Sequence, residues 1–123
     1  MYCIEKDGFK YLSLNTYQRS ADAFLGLPFN IASYGALIYL FCKILGPEYK
    51  PGELIINLGD LHIYENHVEQ CLEQISRKGY QFPKLNIKDF KMQSLGDFSE
   101  LKYEDFELID YKCHNTIKAD MVA

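Results

Sequence analysis

Two polar side chains in the first third of the chain have types suited to binding a phosphate. Arg19 and Ser20 are adjacent in the sequence. A planar guanidinium can grip a phosphate with two parallel hydrogen bonds, and a neighbouring hydroxyl can add a third. An exposed arginine more commonly forms an ordinary surface ion pair. Residue types alone therefore make this pair a candidate phosphate contact and leave the surface pair open.

Asn30 follows shortly after and could read a pyrimidine ring. A carboxamide offers an acceptor and donors in one plane, so it can pair with the N3–H donor and O4 acceptor of uracil. Cytosine presents the reverse pattern, and a buried mismatch would cost about 1–3 kcal/mol for each unpaired group. Asn30 could equally be the N-cap of a helix, which is the commoner role of such a residue. The two roles are compatible.

His62 and Tyr64 lie two residues apart, just after an apolar run. An extended segment would place both side chains on one side. Both can hydrogen-bond a sugar hydroxyl, although they could also be ordinary polar residues at a strand end. Asp60, His67 and His114 lack the spacing of metal ligands, so we expect no metal site.

The elements that must position these residues begin with a hairpin and a helix. Residues 1–6 and 10–17 are predicted to form two strands joined around Asp7-Gly8, because the side-chain types alternate along the second segment. Residues 18–29 contain Gly26-Leu27-Pro28 and little periodicity, which predicts an ordered loop. A helix is predicted from Asn30 to about Leu45, ending at Gly46-Pro47.

The remaining elements complete a ββαβαββ order. Pro51-Gly52 predicts a turn into a strand over 54–58. A helix is predicted over about 65–77, with a buried apolar face made of Val68, Cys71, Leu72 and Ile75. Strands over 84–89 and 106–111 follow, and the tail from 112 is predicted to be irregular. Short links between strands favour an α+β fold over a doubly wound parallel sheet.

Composition limits the class of protein. The chain has 123 residues, which predicts a single domain that buries about two-thirds of its unfolded surface. The net charge of −4 argues against general nucleic-acid binding. The most apolar run, over 31–45, is predicted to be a buried helix too short to span a membrane. With no secretory signal in the first residues, we expect a cytoplasmic protein whose four cysteines are reduced.

Several longer motifs, in order along the chain, resemble the thymidylate synthase family. They are Tyr17-Gln18-Arg19-Ser20-Ala21-Asp22-Ala23-Phe24-Leu25-Gly26-Leu27-Pro28 running into Phe29-Asn30-Ile31-Ala32-Ser33-Tyr34, then Gly59-Asp60-Leu61-His62-Ile63-Tyr64, Phe82-Pro83-Lys84-Leu85, Tyr103-Glu104-Asp105-Phe106 and Thr116-Ile117-Lys118. The resemblance implies a mixed-sheet α+β fold, a homodimer formed through a sheet face, and reductive methylation of dUMP to dTMP with methylenetetrahydrofolate.

The resemblance also implies roles for individual residues. By similarity to the family, Arg19 and Ser20 hold the 5′-phosphate of dUMP, Asn30 reads the base, and His62 and Tyr64 bind the 3′-hydroxyl. Asp22 would hydrogen-bond the pterin ring of the reduced folate, with Leu25 and Gly26 lining that pocket. The terminal Met121-Val122-Ala123 matches the apolar C-terminus that closes over the cofactor, so Ala123 completes the expected folate site.

The departures from the family limit what the chain is expected to do alone. The chain starts after the family's Pro-Cys-His nucleophile motif, and Cys3 lacks the flanking Pro and His. We therefore expect the C-terminal portion of a thymidylate synthase-like domain, inactive without an N-terminal portion. The family's Arg-Glu-Pro-Arg-Pro and Pro-His-Pro are replaced here by Arg77-Lys78-Gly79-Tyr80-Gln81 and Cys113-His114-Asn115, which suggests rearranged loops.

Two other functional classes remain open at this point. One is a dUMP or dCMP hydroxymethylase of the same superfamily, in which water rather than hydride is added to the bound methylene group. The other is a non-catalytic module for nucleotide binding or dimerisation. The amide of Asn30 favours uracil in either enzyme and does not distinguish water from hydride.

Overall fold

The computed structural model describes residues 1–88 and 95–121, so Ala123 and the end of the strand expected over 84–89 lie outside the described residues. The elements are β1 (Tyr2–Lys6), β2 (Phe9–Asp22), α1 (Leu27–Leu45), β3 (Tyr49–His62), α2 (Val68–Ser76), β4 (Lys84–Ile87) and β5 (Phe106–Ile109). Short 3-10 turns cover Glu65–His67, Leu95–Glu100 and Tyr103–Asp105. The predicted ββαβαββ order is confirmed.

The strands form two separate sheets. The first has the order β1-β2-β3, with β1 antiparallel and β3 parallel to β2. The second is the antiparallel pair β4-β5. Asp7 and Gly8, with φ of 52° and 77°, make the left-handed turn that joins β1 to β2. A mixed sheet with helices confirms the α+β prediction.

Strands β2 and β3 are both much longer than predicted. The loop expected over 18–29 is wrong, because β2 continues to Asp22 by pairing in register with β3 up to His62. The turn expected at Pro51-Gly52 is also wrong. Pro51 is tolerated there because β3 is an edge strand of the sheet, where one row of backbone groups has no ladder partner.

Helix α1 begins earlier than predicted. It starts at Leu27 with Pro28 in its first turn, where a missing N–H costs no hydrogen bond. The N-cap position is Gly26, so the prediction of Asn30 as the N-cap is wrong; its N–H donates to the carbonyl of Gly26 at 3.1 Å. The predicted end is confirmed, since Gly46 follows Leu45 with φ of 120°.

The length of α1 bears on whether this helix could span a membrane. With 19 residues and a mean hydropathy of 1.3, it is long and apolar enough to span a bilayer, contrary to the expectation of too short a run. A core helix of a soluble protein passes the same test. Here Ile38 and Cys42 are buried against Leu12 of β2, so one face of α1 packs on the sheet. Much of its remaining surface is partly exposed, which makes the helix less buried than expected.

The chain buries less surface than a domain of its size should. A compact monomer of 14.3 kDa is expected to expose about 6,800 Å². This chain exposes 9445 Å², so it buries less than the two-thirds of its unfolded surface that its length predicts. Helix α2 lies where predicted, but its apolar face is uncovered: Val68, Leu72 and Ile75 are exposed, the last at 77%.

The two faces of the three-stranded sheet differ. Helix α1 covers one face, which we call the helix face. The opposite face, here called the outer face, carries Tyr17, which is 70% exposed, and Leu61, which is 53% exposed. In addition, β1 pairs only with residues 9–13 of β2, so the described part of β2 beyond Leu14 has a free edge opposite β3.

Candidate functional site

The predicted site residues come together where β2 and β3 end. Because these strands are parallel, their carboxyl ends meet at the same edge of the sheet. Ser20 and Asp22 end β2, His62 ends β3, and Tyr64 follows directly. Asn30 comes from the first turn of α1. We call this group, with Arg19, the polar end.

The amide of Asn30 is oriented by Gln18, a residue that the sequence analysis did not select. The Nε2 group of Gln18 donates to Oδ1 of Asn30 at 2.9 Å and to the carbonyl of Ser20 at 3.0 Å. Oδ1 of Asn30 keeps a second lone pair, and its Nδ2 remains a donor. Gln18 and Ser20 share a face only because residues 18–22 continue β2, so the predicted loop gave no signal for this role of Gln18.

Arg19 lies between these two residues and points the other way. Successive side chains of a strand alternate between faces, and the pairing of β2 with β3 is regular at this point. Arg19 therefore belongs to the outer face, whereas Ser20 belongs to the helix face. Its side chain is exposed, and no hydrogen bond or ion pair among the described residues involves it. The free edge of β2 is the place where a long side chain could reach round to Ser20.

His62 and Tyr64 are neighbours, as their spacing predicted. Their ring centroids are 5.1 Å apart in an edge-to-face arrangement. The Nδ1 atom of His62 lies 3.7 Å from a carboxylate oxygen of Asp60. His62 is also the register partner of Asp22, so these two side chains share the helix face.

Asp22 shapes the turn that links β2 to α1. Its carboxylate accepts from the backbone N–H of Phe24 at 3.0 Å and of Leu25 at 3.3 Å. The turn is tight, because a Cβ at Gly26 would lie 3.3 Å from the carbonyl oxygen of Asp22. A carboxylate has about four lone-pair sites, so Asp22 retains acceptor capacity for a ligand.

An open groove borders this turn. Its volume is about 530 Å³, and its lining joins the turn, the end of α2 and residues 112–121, here called the C-terminal segment. Leu25 and Phe29 lie on one side, and Tyr80, His114 and Ile117 lie on the other. The expected contribution of Ala123 lies outside the described residues.

The two segments that depart from the family motifs contact each other beside this groove. The Nη1 group of Arg77 donates to the carbonyl of Asn115 at 2.6 Å, and Nε2 of His114 lies 2.8 Å from the carbonyl of Lys78. The rings of Tyr80 and His114 have centroids 4.6 Å apart. The two departures thus form a single contact region.

The cysteines do not build a site at the polar end or a metal centre. All four are free, as expected for reduced thiols. Cys3 pairs with Leu12, about 26 Å along β2 from Ser20 at the usual rise of a strand. Burial, with a smaller effect of Cys3, raises the pKa of the Cys42 thiol from 9.0 to about 11. In the part of the chain that the structure describes, no three His, Cys, Asp or Glu side chains converge as metal ligands.

The architecture and the polar end define an α+β domain whose candidate site lies at the ends of two parallel strands. Comparison with known proteins then gives the family. The sequence profile of thymidylate synthase matches residues 1–123, and the chain belongs to the thymidylate synthase family.

Individual relatives agree with this assignment. The chain is 52% identical over 108 residues to a thymidylate synthase of Mycoplasma mobile and 49% identical over 110 residues to one of Corynebacterium aurimucosum. These matches cover 88% and 89% of this chain but 35% and 38% of the relatives. The solved structure of thermostable thymidylate synthase A from Bacillus subtilis superposes with a TM-score of 0.77 at 31% identity, over 97% of this chain and 40% of that one. The chain therefore spans little more than a third of the length of these relatives.

Proposed function

We propose that this chain supplies the dUMP-binding part of a thymidylate synthase, which converts dUMP to dTMP with methylenetetrahydrofolate. The proposal rests on family membership together with one observation at the polar end. The amide of Asn30 is held by a 2.9 Å hydrogen bond from Gln18, which fixes which edge of the amide a base would meet. A fixed amide suits recognition of one pyrimidine over another.

The base contact follows from the hydrogen-bonding groups of Asn30 that remain unused. One lone pair of its Oδ1 accepts from Gln18, so the second can accept from N3–H of uracil. Its Nδ2 group can donate to O4 of the same ring. Cytosine has a bare N3 and an amino group at these positions, and both contacts would become mismatched.

The phosphate and sugar contacts come from the ends of both strands. In the proposal, Ser20 meets the phosphate from the helix face, and Arg19 reaches the same phosphate round the free edge of β2. His62 and Tyr64 hydrogen-bond the 3′-hydroxyl. Asp22, Leu25 and Gly26 meet the reduced folate beside the open groove, and Ala123 closes the site.

The reaction needs a thiolate that adds to C6 of dUMP and makes C5 nucleophilic toward the folate methylene. The sequence contains no Pro-Cys-His motif, and Cys3 of β1 pairs with Leu12, far along β2 from Ser20. In this proposal the nucleophile is supplied from outside residues 1–123, and the isolated chain binds and orients substrate without starting the reaction. A cytoplasmic site of action and assembly through the exposed outer face are part of this proposal.

Calorimetric titration of the 123-residue chain with dUMP and with dCMP tests the proposal. We expect dUMP to bind more tightly than dCMP, and Asn30→Asp to reduce that preference by about tenfold, which corresponds to one mismatched polar contact. Failure of dUMP to bind at millimolar concentration would contradict the proposal and favour a non-catalytic interaction module.

A pair of charge variants tests the phosphate contact separately. Arg19→Ala should weaken dUMP binding by about tenfold or more, because it removes a charge-assisted contact, but should leave binding of deoxyuridine unchanged. Lys84→Ala removes the same charge from the separate β4-β5 sheet and serves as the matched control. Equal effects of both variants would contradict a specific role for Arg19.

A further inference from the structure

His67 is the most deeply buried large side chain in the described part of the molecule. Its exposed fraction is 0%. The residue lies at the junction between the 3-10 turn Glu65–His67 and α2, and the proposed nucleotide contacts do not use it. A fully buried polar ring requires hydrogen-bond partners, so its surroundings indicate what it does.

Three separate parts of the chain meet on this imidazole. Its Nε2 atom lies 2.8 Å from the carbonyl oxygen of Asp120 in the C-terminal segment. Its ring packs against Phe24 of the turn after β2, with centroids 5.5 Å apart, and against Tyr64, with centroids 5.8 Å apart. The backbone N–H of His67 also donates to the carbonyl of Tyr64 at 2.9 Å.

The contact with Asp120 determines which ring nitrogen carries hydrogen. A carbonyl oxygen can only accept, so Nε2 must be the donor. In a neutral imidazole Nδ1 is then a bare acceptor. Nδ1 is buried and has no hydrogen-bond partner among the described residues 1–88 and 95–121.

The other side-chain anchors of the C-terminal segment lie nearer its start and are exposed. Arg77 donates to the carbonyl of Asn115, and His114 donates to the carbonyl of Lys78. Water competes with exposed hydrogen bonds, so the partly buried bond from the fully buried His67 ring holds its partner more firmly. His67 is thus placed to hold the last described residues, which have no helix or strand of their own.

We propose that His67 is a positioning residue that anchors the C-terminal segment to the Tyr64 side of the polar end. As the Nε2–H tautomer, it binds the carbonyl of Asp120 while its ring supports Tyr64 and Phe24. Docking of the segment and the position of Tyr64 then depend on one side chain. The anchoring role of His67 is inferred from the distances alone. Its effect on nucleotide affinity rests on the proposed function of Tyr64.

Such an anchor couples two binding events. If nucleotide binding orders Tyr64, it must favour the docked C-terminal segment by the same factor by which docking favours nucleotide binding. Removing the anchor should therefore release the C-terminal segment and also weaken the binding of dUMP.

The tautomer provides a test that needs no substitution. Long-range ¹H–¹⁵N spectra of the 123-residue chain identify the protonated nitrogen of each histidine ring. We expect hydrogen on Nε2 of His67 and none on Nδ1. A predominantly Nδ1–H ring would overturn the proposal, because it could not donate to Asp120.

Trypsin cleavage after Lys118 provides the second test. His67→Leu should raise the cleavage rate there by about tenfold and leave cleavage after Lys102 unchanged, since loss of one partly buried hydrogen bond shifts the open population by that order. His67→Gln keeps an amide donor near the position of Nε2 and should restore most of the protection. Unchanged cleavage after Lys118 in a folded His67→Leu chain would overturn the proposal.

Two further variants separate the anchor from general destabilisation. His114→Leu removes an exposed histidine–carbonyl bond and should leave cleavage after Lys118 within about twofold of the unsubstituted chain. Deletion of residues 119–123 removes the acceptor and should change the ring resonances of Tyr64 even if His67→Leu does not fold. Unchanged Tyr64 resonances would overturn the coupling. Absence of dUMP binding by the unsubstituted chain would contradict the proposed function, while the tautomer and cleavage results would still decide the anchor.

Discussion

The helix face and the outer face of the three-stranded sheet differ in how far the rest of the chain covers them. On the helix face, α1 buries Leu12 and Gln18 orients Asn30. On the outer face, Tyr17 and Leu61 remain exposed and Arg19 has no partner among the described residues. Ala21 on the outer face is buried, but the large exposed apolar side chains of β2 and β3 in the described part of the chain lie on this face, which is typical of a surface that another protein element covers.

The excess of exposed surface agrees with this contrast. The chain exposes about 2,600 Å² more than expected for its mass. Substitutions matched across the two faces test whether the faces really differ.

The largest expected effect is on stability. Leu12→Ala should lower the free energy of unfolding by about 2–5 kcal/mol, because it leaves a cavity between the sheet and α1. Leu61→Ala on the outer face should change it by about 0.5 kcal/mol or less. Urea denaturation followed by circular dichroism measures both, and equal losses would contradict the distinction between the faces.

The next effect concerns pH and again belongs to the helix face. Burial raises the pKa of Cys42 to about 11 from 9.0, so the folded state holds its proton more tightly than the unfolded state does. Stability from this group is therefore present below pH 9 and is lost as pH rises toward 11. Urea titrations from pH 8 to 11 should show a shallower decline in Cys42→Ala, and parallel declines would contradict the prediction.

Self-association should depend on the outer face. Tyr17→Lys places a charge on the exposed apolar surface and should weaken association of the chain by about tenfold, without changing its unfolding. Sedimentation equilibrium over a range of concentrations measures this effect. A chain that stays monomeric at high concentration would remove the support for assembly through this face.

The smallest expected difference compares two amide hydrogen bonds on opposite faces. Gln18→Ala removes the partly buried bond to Asn30 and should cost about 1 kcal/mol of stability. Asn57→Ala removes the exposed bond to Asn15 and should cost less, because water replaces it. If Asn57→Ala proved the more destabilising, the outer face would be better packed than described.

Much of the fold was predictable because it depends on local signals. The hairpin at Asp7-Gly8 and the end of α1 at Gly46 follow from turn and capping chemistry, and the position of α2 follows from its apolar periodicity. The extents of β2 and β3 were not predictable, since residues 18–22 become a strand only by pairing with residues far along the chain. The start of α1 was missed because Gly26-Leu27-Pro28 was interpreted as a break, whereas Pro28 is favourable in a first turn.

For the candidate site, most of the residues were predictable from the sequence, but the directions of their side chains were not. The motif residues Ser20, Asn30, His62 and Tyr64 do gather at one end of the sheet. The opposite direction of Arg19 and the orienting role of Gln18 depend on the strand that replaced the predicted loop. His67 was considered only as a metal ligand, because nothing in its neighbours signals that a distant carbonyl will bury it.

Residue types and local spacing are enough to indicate the family, the order of elements and the chemistry available at each position. Which faces those residues share depends on the tertiary structure. Strand alternation places Arg19 and Ser20 on opposite sides, and long-range pairing brings Asp120 to His67. Such arrangements depend on contacts between distant segments, which no local pattern encodes.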